Sequence, residues 1–279
     1  METKSLFCCP ICGRPLNTGE KALVCGHGHS FDLAKEGYVH LLPPNKMHSK
    51  IPGDNKQMVS ARRSFLESGS YEIFSEKLNG LVLEYLKEKS SPVLLDSGCG
   101  EGYYTGRLMR FLEEKGVPVQ VAGFDISKFA VKAAAKKYKN AEFAVGSVFS
   151  IPMEDKKADV LISIFAPLVP EEFFRVLKPG GLLILAVPSP RHLYGLKEVL
   201  YSSVYENEYR ETEYEGFAFL ERVPVRGTLR LEGQDMISNL FAMTPYYWKT
   251  PPEGCARLGK LEFLETEIGF DFLEYIRKG

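Results

Sequence analysis

The chain has 279 residues, 44% of them hydrophobic, and a formal net charge of −1. That supplies a full-sized core plus one small attachment, and it excludes a protein that is basic along its whole length. No apolar run is long enough to cross a bilayer, and METKSLFCCP lacks the charged-then-apolar layout of a signal peptide. The expectation is a globular cytoplasmic protein with no membrane partner.

The first element in chain order is FCCPICGRPLNTGEKALVCGHGH, which offers Cys8, Cys9, Cys12, Cys25, His27 and His29 as metal ligands. A tetrahedral zinc ion takes four. Cys9 and Cys12 form a Cys-x-x-Cys turn, closed by Gly13, where a positive φ avoids a side-chain clash. Cys25 is the only sulfur of the second arm, and His29 stands far enough along for its imidazole to turn back, which His27 does not. The expected set is Cys9, Cys12, Cys25 and His29. Such a closed site is a folding device, because about 30 residues cannot build a core of their own. A folded ribbon of this kind could also present Arg14 and Lys21 to RNA.

Residues 1–36 are thus read as a zinc-binding domain, 37–70 as a basic linker and 71–279 as the main domain. Residues 35–63 carry six basic side chains (Lys35, Lys46, Lys50, Lys56, Arg62, Arg63) against Glu36 and Asp54, with His40 and His48 interspersed. This segment is expected to grip phosphates, through contacts that weaken with salt. Residues 206–221 hold six glutamates against Arg210 and would repel them.

PVLLDSGCGEGYYTGRLMRFLEEKG reads as a buried strand, a glycine turn and an amphipathic helix, and VQVAGFD as a second strand ending on Asp125. Glycines 98, 100 and 102 let a ligand lie against the backbone, and Asp125 can accept from ribose hydroxyls. The G-x-G-x-G spacing departs from the nicotinamide pattern, and Asp96 suits a ligand with an ammonium group, as S-adenosylmethionine has. Further strands are expected at 141–148 and 158–168. EEFFRVLKPGGLLILAVPSP supplies a helix, a Lys178-Pro179-Gly180-Gly181 turn and a fifth strand. KFAVKAAAKKYK is a Lys-rich helix whose charged side is either a solvated face or an RNA contact. The fold class is α/β: a Rossmann-like, doubly wound class I S-adenosylmethionine-dependent methyltransferase sheet behind an N-terminal zinc ribbon.

Several stretches carry a closer resemblance: CPIC with CGHGHSFDLAKEGYVHLLP, PGDNKQMVSARRSFLESGSY, LLDSGCGEGYYT, FDISKFAVKAAAKKY, PSPRHLYGLKEVLY and AMTPYYWK. They resemble the RlmA family of bacterial 23S rRNA guanine-N1 methyltransferases over nearly the whole chain. The resemblance implies zinc on Cys9, Cys12, Cys25 and His29. It also implies a homodimer with an RNA-binding cleft, acting on a guanine in a domain II hairpin of 23S rRNA. By the same resemblance Tyr71, the loop 98–102 with Glu101, and His192 hold the cofactor, although Tyr71 could simply pack a helix start and His192 cap the helix near Leu193.

Guanine N1 carries a proton that must leave. His192, Asp54 and the backbone at Phe165-Ala166-Pro167 are the candidates to receive it, with His192 the side chain to test. Trp248, beside Tyr246 and Tyr247, is a stacking candidate or a core aromatic. A small-molecule methyltransferase of the same fold and a non-catalytic RNA-binding ribosome-assembly factor are the rival readings.

Overall fold

Two knuckles organise the N-terminal end of the computed structural model. Strands β1 (Thr3–Cys8), β2 (Pro15–Thr18), β3 (Ala22–Cys25) and β4 (Ser30–Asp32) form an antiparallel four-stranded ribbon in chain order. Gly13, at φ 71°, donates its N–H to Cys9 O at 2.8 Å, and Gly28, at φ 82°, donates to Cys25 O at 2.8 Å. Each turn uses a conformation that side-chain-bearing residues rarely adopt. The structure describes residues 3–44, 52–208 and 212–279, so Lys46, His48, Lys50 and Arg210 lie outside the described residues.

The stretch 37–70 is folded where it is described. Tyr38–His40 forms β5, which pairs in parallel with β8 (Glu142–Val145) at the edge of the main sheet. Lys56–Glu67 forms α1, capped by Asn55, whose side chain accepts from Met58 N. The helix buries Met58, Val59, Ala61, Phe65 and Leu66. Helix α2 (Glu72–Leu86) follows.

The parallel strands are β6 (Val93–Ser97), β7 (Gln120–Asp125), β8, β9 (Ala158–Ile164) and β10 (Leu177–Pro188). Between them run α3 (Tyr103–Glu114), α4 (Lys128–Lys137) and α5 (Pro170–Val176). Then come α6 (Tyr194–Leu200), β11 (Phe217–Glu232), α7 (Gln234–Ala242), α8 (Pro252–Leu258) and β12 (Phe263–Arg277). The eight-stranded order is β11-β12-β10-β9-β6-β7-β8-β5, with β11 and β12 antiparallel. From β6 the chain winds outward through β7 and β8, then returns to the other side of β6 for β9 and β10. The strand order therefore reverses at β6/β9, the place where open α/β sheets bind ligands beyond their carboxyl ends.

Two sequence expectations are revised. Lys178-Pro179-Gly180-Gly181 is an irregularity inside β10, with Leu177 opposite Ala158 and Leu182 opposite Val160, and Lys178 Nζ reaches Asp159 Oδ2 at 2.7 Å. The fourth strand stops at Ile164 because Phe165 turns to φ 53°.

Alternate strand residues face opposite layers. Leu94, Ile162, Ile184 and Phe272 pack with Phe74, Leu78 and Leu112, while Leu95, Leu161, Leu183 and Leu273 face the other way. That second layer is continuous with the ribbon: Leu6, Phe7, Leu16 and Leu23 share a cluster with Ala144, Met153 and Phe173. The ribbon is a covering layer of the sheet rather than a bead on a tether. Burying Phe7 alone is worth about 2 kcal/mol.

Candidate functional site

The four expected zinc ligands converge. Cys9, Cys12, Cys25 and His29 place their ligand atoms within 4.8 Å of one another. His29 Nδ1 is 3.4 Å from both Cys9 Sγ and Cys25 Sγ, and Cys12 Sγ is 3.7 Å from Cys25 Sγ. Sulfurs bonded tetrahedrally to one zinc lie about 3.8 Å apart, so the donor set and its spacing fit the ion. Backbone N–H groups of His27 and His29, acting against burial, hold the Cys25 thiol down to about 6. Cys8 points elsewhere, and burial pushes its thiol up to about 11. His27 is exposed.

A cleft of about 870 Å³ opens at the carboxyl ends of β6, β7, β9 and β10. Gly98, Gly100 and Gly102 all have positive φ, between 56° and 81°. A Cβ on Gly98 would meet Ala166 Cβ at 2.5 Å, so this glycine lets the β6 loop pass the tip of β9. Asp125 Oδ2 accepts from Gly100 N at 3.0 Å and Oδ1 from Ser127 N at 2.7 Å, which ties the loop to the end of β7. Burial raises the Asp125 carboxyl while those N–H groups and Arg62 oppose it.

Asp96 and Glu101 are both buried. Burial pushes each carboxyl up to about 7, although Thr105 donates to Asp96 and Arg62 faces Glu101. Glu101 Oε2 and the hydroxyls of Tyr71 and Tyr104, all along this cleft, are buried with no hydrogen-bond partner among the described residues. A cleft with four acids (Asp54, Asp96, Glu101, Asp125), orphaned polar atoms and a bare glycine backbone suits a cationic, ribose-bearing ligand such as S-adenosylmethionine.

A titration follows from these shifts. An ammonium or sulfonium selects ionised carboxylates, so binding is strongest where Asp96 and Glu101 have lost their protons and weakens as pH falls below about 7. Calorimetry should give a dissociation constant for S-adenosylmethionine several-fold higher at pH 6 than at pH 7.5, with Asp96→Asn flattening the slope. A pH-independent constant in the unsubstituted protein would exclude these carboxyls as the cation's partners.

The sequence did not single out Arg62 for this cleft. Its guanidinium pairs with Asp54 and stands 4.0 Å from Glu101 Oε2. Arg63 is likewise bonded to Glu67 at 3.0 Å, while Lys35 and Lys56 remain exposed. In α4, Lys132 and Lys137 pair with Glu36 and Glu67. Asp54 itself is held over the end of β7, where Ser127 Oγ donates to its carbonyl at 2.6 Å.

His192 is buried, and its Nδ1 accepts from Gly269 N at 3.2 Å. The neutral ring then carries its proton on Nε2 and presents a donor. Burial, with Lys197 and Arg226, pushes its pKa down to about 3. Held neutral, His192 offers the cleft a hydrogen-bond donor at Nε2. Tyr71 packs edge-on against Phe65, Phe74 and Phe270, with ring centroids 4.9 to 5.2 Å apart. Trp248 is 66% exposed at the cleft rather than part of the core. Phe149 and Phe165, which the sequence reading did not propose as aromatics of the site, also line the cleft; the available signal was an aromatic placed just past the end of a buried strand.

Residues 7–50 match the family described as RlmA, N-terminal, and residues 88–220 match the one described as Methyltransferase domain. The chain is 32% identical over 254 residues to a Streptomyces fradiae protein named 23S rRNA (guanine(748)-N(1))-methyltransferase, covering 89% of this chain and 88% of the relative. A Bacillus subtilis (strain 168) protein, YxjB, provisionally named a 23S rRNA (guanine-N(1)-)-methyltransferase, is 31% identical with 96% of each chain covered. A Micromonospora griseorubida protein given the same provisional activity is 33% identical, covering 69% of this chain and 68% of its own.

Proposed function

Because the chain belongs to the RlmA family of 23S rRNA (guanine-N1)-methyltransferases, we propose that it methylates N1 of a guanine in a domain II hairpin of 23S rRNA. It is an S-adenosylmethionine-dependent enzyme whose zinc ribbon is structural. The observation that carries the reading is a single cleft lined both by glycines and acids and by the exposed aromatics Phe149, Phe165 and Trp248.

When bound, S-adenosylmethionine supplies an electrophilic methyl group, which guanine N1 takes while the bond pair stays on sulfur. The protein's part is positioning. Asp125 would hold the ribose hydroxyls, since its two oxygens are already fixed by Gly100 N and Ser127 N. Asp96 and Glu101 would face the cationic part, and Tyr71 would close the site from α2. His192 would donate from Nε2 to a cofactor or base oxygen. The N1 proton departs to solvent as the new bond forms.

A guanine N1 edge is engaged when the base is paired, so the acceptor is a loop or extruded base. The ribbon lies on the opposite layer of the sheet from α2 and α3 and would offer its exposed Arg14 and Lys21 to the RNA. We place the enzyme in the cytoplasm as a homodimer; no helix among the described residues is long and apolar enough to cross a membrane.

The test is incubation with S-adenosylmethionine and an unmodified domain II transcript, followed by digestion and mass spectrometry. 1-Methylguanosine is the expected product. Its absence while cofactor still binds, on both the transcript and a ribosomal particle, would favour a small-molecule methyltransferase. Failure to bind cofactor would favour a non-catalytic RNA-binding protein.

A further inference from the structure

Strand β9 is buried along most of its length, and the chain then reaches Phe165 and leaves its ring 47% exposed in the cleft. The residue sits at φ 53°, a left-handed conformation that an aromatic rarely adopts. Its N–H is held by Ala186 O at 3.3 Å, and the next residue, Ala166, abuts Gly98 of the cofactor loop. The ring stands edge-on to Phe270 with centroids 4.3 Å apart, and lies nearly parallel to His192, 24° between planes and 6.0 Å between centroids.

Backbone strain and an exposed apolar ring both oppose folding, and here they coincide on one residue beside the glycine loop. Strain that the surrounding structure holds in place marks sites of function. Phe149, 72% exposed, and Trp248, 66% exposed, line the same cleft. We propose that Phe165 is the platform on which the acceptor guanine stacks, presenting the base to the cofactor. This rests on the methyl-transfer reading above and adds the residue that receives the base.

The experiment compares Phe165→Ala, Phe165→Leu, Phe165→Gly and Phe165→Tyr for 1-methylguanosine formation on the domain II transcript, S-adenosylmethionine affinity and melting temperature. Aromatic stacking predicts that Ala, Leu and Gly each lower kcat/KM for RNA about 10- to 100-fold while the cofactor dissociation constant stays within about twofold. Tyr should retain activity within a few-fold, because it keeps the π face that Leu, of similar bulk, lacks. Gly suits the left-handed backbone and should melt no lower than Ala, which keeps the series readable if Ala folds poorly. Wild-type activity in the Leu and Gly variants would overturn the assignment and leave the enzyme's function standing. A parallel loss of cofactor affinity would make Phe165 a cofactor wall instead, also overturning it. An unsubstituted protein that makes no 1-methylguanosine would sink the methyl-transfer reading first, before any variant is compared.

Discussion

Removing zinc with a chelator, or replacing Cys12 by Ser, should unfold β1–β4 and also lower the melting temperature of the main sheet. The ribbon has four short strands and depends on its metal site for order. Structural zinc sites contribute roughly 10 to 16 kcal/mol of apparent binding energy in zinc-finger peptides, so losing the ion exceeds any stability this segment could have alone. The effect spreads because the two sheets share packing. Leu6 and Phe7 sit in one cluster with Met153 and Phe173. Leu6 N donates to Glu142 at 3.1 Å, Cys8 N to Pro152 O at 2.9 Å, and Lys4 pairs with Glu154 at 2.9 Å. Metal analysis should give one zinc per chain before treatment and none after. Calorimetry should then show the remaining transition at lower temperature, with new binding of an apolar dye. A main transition unmoved by complete zinc loss would mean that the ribbon contributes nothing to the sheet.

Asp125→Ala should weaken S-adenosylmethionine by about 10- to 100-fold, the worth of one hydrogen bond to a charged group. The carboxylate has two duties at the end of β7. It accepts from Gly100 N and Ser127 N, and so sets the path of the glycine loop before any ligand arrives. Its removal also leaves Gly100 N–H without this acceptor, so the loop loosens as the ribose partner is lost. Asp125→Asn keeps the shape and one acceptor oxygen, and should fall between wild type and Ala. Titration calorimetry measures both, with the melting temperature recorded beside it to separate binding from folding. An unchanged dissociation constant in Asp125→Ala would remove the residue from the cofactor site.

The metal cluster was legible because thiolate chemistry and turn length act locally: Cys9, Cys12 and Cys25 permit few arrangements, and the gap to His29 allows its ring to return. The glycine loop was legible for the same reason, since Gly98, Gly100 and Gly102 each meet a local backbone demand. The antiparallel pair β11–β12 was not. Its pattern of exposure alternates imperfectly because β11 is an edge strand with one side open, and its partner lies beyond α7 and α8 in sequence. The place of Arg62 in the cleft was hidden for a related reason. Counting charge along residues 35–63 treats every cation as solvated, whereas the turn at Gly53 and Asp54 and the pitch of α1 bring this one back onto Asp54. Phe165 was noticed only as backbone, because its significance depends on a dihedral angle that no composition or periodicity encodes.

The edge strand β5 has a consequence for the order of events during synthesis. The ribbon's ligands all emerge by His29, so a nascent chain holds a complete zinc site long before Glu142–Val145, the partner of β5, has been made. Metal loading needs only nearby contacts, while seating Tyr38–His40 beside Phe143–Val145 closes a loop of about a hundred residues and is slow by comparison. The N-terminal unit is thus ready early and waits, its apolar underside with Leu6 and Phe7 uncovered until the sheet exists to receive it. Zinc scarcity would then be felt first by chains still on the ribosome, and less by finished enzyme.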